Sequence, residues 1–279
     1  MSPGSASSSP SACPCPPEAS PRAGPAPALE PFWRLVFPES CVACGVPLER
    51  PRRHFCAACY RALPWIGEPA CPRCGHAVGP HARAEAGCAA CRNRRFAFAR
   101  AVAPLRYEGA ARELILKFKL GRRAPLAHAL GAVLGDFLAE SGLSRAADLV
   151  APVPLHWRRR LSRGFNQAML LARELALRFG LPLAPRLLVR RRATETQTTL
   201  SGPRRGANVR GAFAVRAARI GGPLARLAGR SALLGRRVLV VDDVFTTGAT
   251  VHECARVLRE GGAAEVLVAT VARTPHASG

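Results

Sequence analysis

The stretch Val238-Leu-Val-Val-Asp-Asp-Val-Phe-Thr-Thr-Gly-Ala-Thr250 is the most informative in this 279-residue chain. Its four opening apolar residues read as a strand buried on both faces, of the kind parallel sheets use. Two adjacent carboxylates, Asp242 and Asp243, end the strand, and a Thr/Gly loop then leads straight into a helical pattern over 249–260. Backbone N–H groups across Thr246, Thr247, Gly248, Ala249 and Thr250, together with the threonine hydroxyls, make a cradle for a phosphate at the start of that helix. Gly248 lets the backbone approach the ligand closely. Carboxylates beside a phosphate would repel it, so Asp242 and Asp243 must meet hydroxyls or a metal instead. A phosphorylated sugar satisfies both ends at once. The loop is not a Walker A sequence, because GxxxxGK[ST] is absent, nor a dinucleotide fingerprint, because GxGxxG is absent.

Working outward, 265–271 reads as a second buried strand, which makes 237–271 a βαβ unit with parallel strands and a right-handed crossover. Upstream, the patterns predict a strand over 96–107, helices over 109–120 and 125–141, and a buried strand over 148–153 stopped by Pro154. A helix over 166–179 closes at Gly180, and weaker strands lie at 187–190 and 212–215. Residues 221–235 read as loop or short helix. The alternation from Phe96 onward signals an α/β fold with a parallel sheet.

Before Phe96 the chain changes character. Residues 1–30 are Ser, Pro and Ala with almost no large apolar side chains, and read as a disordered tail. Residues 31–95 carry four CxxC pairs: Cys41/Cys44, Cys56/Cys59, Cys71/Cys74 and Cys88/Cys91. The two-residue spacer lets both thiolates of a pair face one ion, and eight thiolates make two tetrahedral Zn²⁺ sites with every position filled, hence structural sites. Iron–sulfur clusters are the alternative. Sequential pairing, 41/44 with 56/59 and 71/74 with 88/91, is the expectation beside a cross-braced arrangement. Cys13 and Cys15 suit no metal knuckle and read as free thiols. His54, His76, His81 and His252 read as exposed residues, and Cys254, on the apolar face of 249–260, as a core thiol.

Lys+Arg 41 against Asp+Glu 18 gives a net charge of +23, and only Lys117 and Lys119 are lysines. With 48% hydrophobic residues the chain is no disordered basic protein, so the excess sits on a folded body and points to a polyanionic partner, the alternative being solubility alone. The excess is uneven, since 186–237 holds thirteen arginines against one acid, Glu195. No run of 18 apolar residues exists and no secretory leader opens the sequence, so a cytoplasmic protein without a membrane span is expected.

The stretch 238–250 resembles the phosphoribosyl pyrophosphate (PRPP) loop of type I phosphoribosyltransferases. The chain from about 32 to 273 resembles the ComF family, amidophosphoribosyltransferase-like proteins associated with DNA uptake in bacterial competence. The matching blocks are the cysteine ribbons, Tyr107-Glu-Gly with Lys117-Phe-Lys, Val153-Pro-Leu-His, Arg163-Gly-Phe-Asn-Gln, Thr196-Gln-Thr-Thr-Leu-Ser, Arg205-Gly-Ala-Asn-Val-Arg-Gly-Ala-Phe, the phosphate loop, and Ala272-Arg273. The resemblance implies a flavodoxin-like parallel sheet over 96–279, preceded by a double zinc ribbon, with the site at the carboxyl ends of the strands. It implies that Asp242 and Asp243 bind the ribose hydroxyls and 246–250 the 5′-phosphate. Arg158 and Arg163 would be the nearest cations to pyrophosphate, and Arg204 and Arg205 would belong to a loop that closes over the site. Mg²⁺ would arrive with PRPP. Two functions stay open: transfer of a phosphoribosyl group to an unidentified acceptor, or non-catalytic binding of single-stranded DNA with the PRPP fold as scaffold or sensor. Other DNA-uptake proteins are possible partners in either case. The aromatics Trp33, Phe55, Tyr60 and Trp65 read equally as stacking faces for bases or as packing around zinc.

Overall fold

The computed structural model describes residues 39–48, 54–67, 69–79, 87–89, 91–120, 124–155, 164–192, 209–216 and 233–275. From Glu39 onward the chain forms one compact unit. In chain order its elements are α1 (Ala57–Arg61), β1 (Arg100–Val102), β2 (Leu105–Arg106), α2 (Gly109–Leu120), α3 (Ala124–Glu140), β3 (Leu149–Pro152), α4 (Gln167–Phe179), β4 (Leu188–Arg190), β5 (Phe213–Val215), β6 (Arg237–Phe245), α5 (Ala249–Glu260) and β7 (Glu265–Arg273).

The main sheet is parallel, in the order β1, β7, β6, β3, with β2 continuing the β1 edge along β7. A separate antiparallel pair joins β4 to β5. Alternation along the central strands divides the interior into two cores. Leu239 and Val241 of β6 with Leu267, Ala269 and Val271 of β7 face the helices α2, α3 and α4. Val238 and Val240 with Val266 and Val268 face α5 and the β4–β5 pair. The helices match these faces at helical spacing: Ala111, Leu114, Ile115 and Phe118 from α2, and Val251, Cys254, Ala255 and Leu258 from α5. The α/β, doubly covered parallel sheet expected from the sequence is therefore what forms.

Several boundaries moved. The expected strand over 96–107 splits into β1 and β2 around Pro104, which has no N–H for a ladder and whose carbonyl instead accepts from the Ile66 N–H at 2.8 Å. β6 runs on through both carboxylates to Phe245, and β7 runs on to Arg273. Of 221–235 only 233–235 are described, as a turn. Gly131 and Gly135, which interrupt an apolar run in α3, prove to be contact points with α4. A Cβ at Gly131 would lie 2.8 Å from Glu174 Cβ, and one at Gly135 2.8 Å from Arg178 Cδ. The helices close over them, and Arg178 reaches Asp136 at 2.6 Å.

The cysteine-rich module covers the outer sheet edge. The Arg106 N–H donates to the Pro64 carbonyl at 2.8 Å, Trp65 bridges Leu105, and the Ala101 N–H donates to the Arg73 carbonyl at 2.9 Å. Backbone groups on β1 and β2 that would face water are thereby paired. Among the described residues no helix is long and apolar enough to cross a membrane.

Candidate functional site

The eight cysteines of the CxxC pairs fall into two groups, Cys41/Cys44/Cys56/Cys59 and Cys71/Cys74/Cys88/Cys91, with sulfurs inside each group within 4.8 Å of one another. Sequential pairing is what the structure adopts. A tetrahedron of sulfurs at Zn–S bond length has edges of about 3.8 Å. The observed separations match: Cys44 to Cys56 at 3.8 Å, Cys71 to Cys91 and Cys74 to Cys88 at 3.6 Å, and Cys88 to Cys91 at 3.8 Å. Backbone N–H groups point at the sulfurs, Cys88 to Cys71 at 3.3 Å and Cys59 to Cys56 at 3.5 Å. Burial opposes ionisation of Cys71, but the N–H groups of Cys74, Cys88 and Arg73 outweigh it and bring that thiol down to about 7. Burial pushes its neighbour Cys74 up. Four sulfurs this close ionise together only around a cation, and the donor set suits Zn²⁺.

The two groups sit differently. All four cysteines of the second are buried, whereas Cys44 of the first is exposed and Cys56 and Cys59 half-buried. Around the first group, Tyr60 and Trp65 rings pack at 5.0 Å and Phe55 lies 6.5 Å from Tyr60, so these aromatics are engaged with one another. His54 and His76 are half-buried rather than exposed, and neither joins a sulfur cluster. His54 instead lies flat against His128, ring centroids 6.4 Å apart.

At the carboxyl end of the sheet, Asp242 and Asp243 of β6, the linking Thr246, Thr247 and Gly248, and Ala249 and Thr250 at the start of α5 form one continuous strand–turn–helix passage. Gly248 stands at the helix start with φ +77, and a Cβ there would lie 2.5 Å from Phe245 Cζ, so only glycine fits on both counts. The Asp242 carboxylate accepts from the Asp243 N–H at 2.9 Å. Burial, reinforced by the adjacent Asp243 charge, pushes the Asp242 carboxyl up to about 7. Asp243 faces Lys119, whose Nζ lies 3.1 Å from its Oδ2, both side chains being mostly buried. Lys119 also sits over the Tyr107 ring at 5.8 Å. The end of α2 that carries it is tied to the α4 start by Gln167 Nε2 donating to the Lys119 carbonyl at 3.4 Å. Asn166 caps α4 through Ala168 N–H at 3.1 Å and binds the Val153 carbonyl at 3.0 Å, which fixes α4 to the end of the β3 strand.

Arg158, Arg163, Arg204 and Arg205 lie outside the described residues, as do Cys13, Cys15, Trp33 and His81. Cys254 is fully buried beneath the site, and burial with the Asp242 charge pushes its thiol well up, as befits a core residue. His252 is half-buried, against expectation, because the Phe96–Phe98 segment crosses α5 and the Ala97 N–H donates to His252 Nδ1 at 3.0 Å. Reading the residues singly missed three groups around the turn: Lys119, Gln167 and Arg273. For Lys119 a signal existed, since it is one of only two lysines among 41 cations. Beyond the turn, Arg94, Arg95, Arg210 and Arg256 line a cleft of about 710 Å³ with Phe96 and His252.

Comparison with known proteins adds to this geometry. Residues 32–92 match a double zinc ribbon domain and 161–278 a phosphoribosyl transferase domain. DNA utilization protein YhgH of Salmonella typhimurium is 33% identical over 246 residues, 86% of this chain and 99% of that protein. Competence protein F of Haemophilus influenzae is 29% identical over 238 residues, 84% of this chain and 96% of the relative. Among solved structures, an allosteric regulatory enzyme of purine biosynthesis matches with 26% identity and a TM-score of 0.32, over 52% of this chain and 26% of that one.

Two outcomes follow from the site. Protein purified without added zinc should carry close to two equivalents of zinc by metal analysis; less than one equivalent, or visible iron absorbance, would sink the assignment. For Asp242, whose ordinary value is 3.8, the folded chain holds its proton up to about 7. Between about pH 4 and pH 7 the folded state therefore binds more protons than the unfolded one, and the stability due to this group declines as pH rises through that window. Thermal melts should show a shallower decline over that window for Asp242→Asn than for wild type; parallel curves would overturn the assignment.

Proposed function

The chain belongs to the ComF family, and from that premise we propose that it binds PRPP at the β6–α5 turn and transfers the phosphoribosyl group in a process that handles DNA. The observation that carries this reading is the passage from β6 to α5: a buried strand with two adjacent carboxylates near its carboxyl end, then a Thr/Gly loop into a helix start, with a lysine on the second carboxylate. Asp242 and Asp243 would accept hydrogen bonds from the ribose hydroxyls, and the backbone of 246–250 with its threonines would take the 5′-phosphate. The C1–oxygen bond to pyrophosphate breaks as the acceptor nitrogen bonds to C1, through a transition state with oxocarbenium character. No protein nucleophile is needed, which agrees with Cys254 lying sealed in the core. Charge on the departing pyrophosphate would be neutralised by Mg²⁺ arriving with the ligand and by arginines, for which Arg158, Arg163, Arg204 and Arg205 are the proposed residues. That the described cysteines are not joined in disulfides suits a reducing, cytoplasmic setting.

The domain limits follow the same reading: a tail over 1–30, a double zinc ribbon over 31–95 and the transferase domain over 96–279. In calorimetric titrations with Mg²⁺ and PRPP, Asp242→Asn and Asp243→Asn should each weaken binding by about 1.5–3 kcal/mol, the range for a hydrogen bond to a charged group. Equal affinity in all three proteins would refute the site.

A second activity is favoured by the charge. A net +23 exceeds what one PRPP needs, and the cleft lined by Arg94, Arg95, Arg210 and Arg256 offers a cationic surface beside the Phe96 ring. We propose that single-stranded DNA binds there with little sequence preference, Arg256 being shared with Glu253 and Glu260. Neutralising roughly four to six phosphates would give log K against log salt a slope near −3 to −4. Fluorescence anisotropy with a labelled oligonucleotide across a salt series measures it; salt-insensitive binding, or none at low salt, would remove this activity.

A further inference from the structure

Arg273, the last residue of β7, is 2% exposed. A buried guanidinium needs partners for its charge. On one side its Nη1 donates to the Cys74 carbonyl, and the sulfurs of Cys71, Cys74, Cys88 and Cys91 lie within its electrostatic reach. On the other side it lies over the Phe245 ring, 4.5 Å from the centroid. Four thiolates around Zn²⁺ carry a net charge of −2, and the buried arginine beside them offsets it. The backbone holds the residue in place: the Tyr107 N–H donates to the Arg273 carbonyl at 2.7 Å, and Arg273 stands in register opposite Phe245.

Phe245 is in turn the floor of the phosphate loop. Its ring occupies the space where a Gly248 side chain would begin, with Phe96 Cε1 3.2 Å from the same point. Phe96 and Phe98 meet Phe245 edge-on at 6.4 and 6.1 Å, and Phe96 also packs on the second cysteine group. Thr274, next after Arg273, donates its N–H to the Phe245 carbonyl at 2.9 Å. A continuous line of contacts thus runs from the second cysteine group through Arg273 and Phe96 to Phe245 and Gly248. Among the described residues the first group has no such line, since Cys41, Cys56 and Cys59 pack with the core on the opposite face of the sheet.

We infer that the second Cys₄ centre is a positioning element for the phosphate loop, acting through Arg273 on Phe245, so that the state of that metal site sets the affinity of the loop for its ligand. The inference rests on the reading of 246–250 as a phosphate cradle. The test uses the full chain with Arg273→Met, Phe245→Leu and Cys88→Ser, measuring zinc content, melting temperature, calorimetric affinity for Mg²⁺·PRPP and for ribose 5-phosphate, and amide exchange at 246–250. Arg273→Met and Phe245→Leu should keep both zinc equivalents and a cooperative melt yet lose about tenfold in affinity, the scale on which outer partners of a metal site change activity. Cys88→Ser should lose one zinc, and exchange at 246–250 should quicken in all three variants. Wild-type affinity in Arg273→Met and Phe245→Leu, with a lowered melting temperature alone, would make the contact merely structural and overturn the inference. If wild type bound neither ligand, the phosphate reading would fall, and the exchange data would still decide the coupling: unchanged exchange at 246–250 would end it.

Discussion

The parallel pairing of β6 with β7 is the constraint on which the remainder depends. Its eight registered residue pairs run from Arg237↔Glu265 to Phe245↔Arg273, covered by helices on one face and by α5 with the β4–β5 pair on the other. A strand pair buried on both faces has no place for an unpaired polar side chain along its length. Charged residues are admitted only where the strands emerge, and at the carboxyl end they emerge together. Asp243 meets Lys119 of α2, Asp242 lies close enough to Cys254 of α5 for its charge to act on that thiol, and Arg273 leaves β7 toward the second cysteine group. The anionic and cationic ends of the site are consequences of one ladder.

Zinc chemistry then serves the sheet as well as the small module that contains it. A segment of this size with so few large apolar residues gains folding free energy from metal that its own core cannot provide. Once ordered, it meets the β1/β2 edge through the Arg73, Pro64 and Pro104 backbone groups, and it surrounds Arg273 with sulfur. Edge protection and charge compensation come from the same docking. The burial of all four cysteines in the second group follows from its lying over this junction, whereas the first group lies nearer solvent.

Much of this was legible in the residues. Apolar runs at 238–241 and 265–271 identify the central strands because a doubly buried strand has a continuous pattern, and the CxxC spacers identify the metal groups because two thiols on one knuckle have few other uses. The order Asp-Asp-x-x-Thr-Thr-Gly identifies the passage from strand to helix, since the glycine stands where φ is +77 and a Cβ would meet Phe245. What stayed hidden depends on tertiary contact. That β6 continues past the carboxylates to Phe245 follows from pairing with 272 and 273, which local pattern does not encode. His252 is drawn inward by a backbone N–H 155 residues away, and Arg273 is buried by partners from a module some 200 residues earlier. Gly131 and Gly135 looked like interruptions because their meaning lies in α4.

Lys119 illustrates how composition and geometry combine. The chain meets nearly every need for a cation with arginine, yet the group opposite Asp243 is a lysine, at 3.1 Å and beneath the Tyr107 ring. An arginine at that distance would grip the carboxylate with two parallel N–H groups in a fixed plane and hold both oxygens. An ammonium is a compact charge on a flexible stem, and it meets Asp243 at one oxygen, Oδ2. The Asp242 carboxyl, pushed up to about 7 by burial and by Asp243, shows what the pair costs to assemble. Two adjacent carboxylates repel each other, and a cation against one of them reduces that repulsion. Lys119 supplies that cation on Asp243, and its backbone anchor through Gln167 holds the end of α2 that carries it at the site.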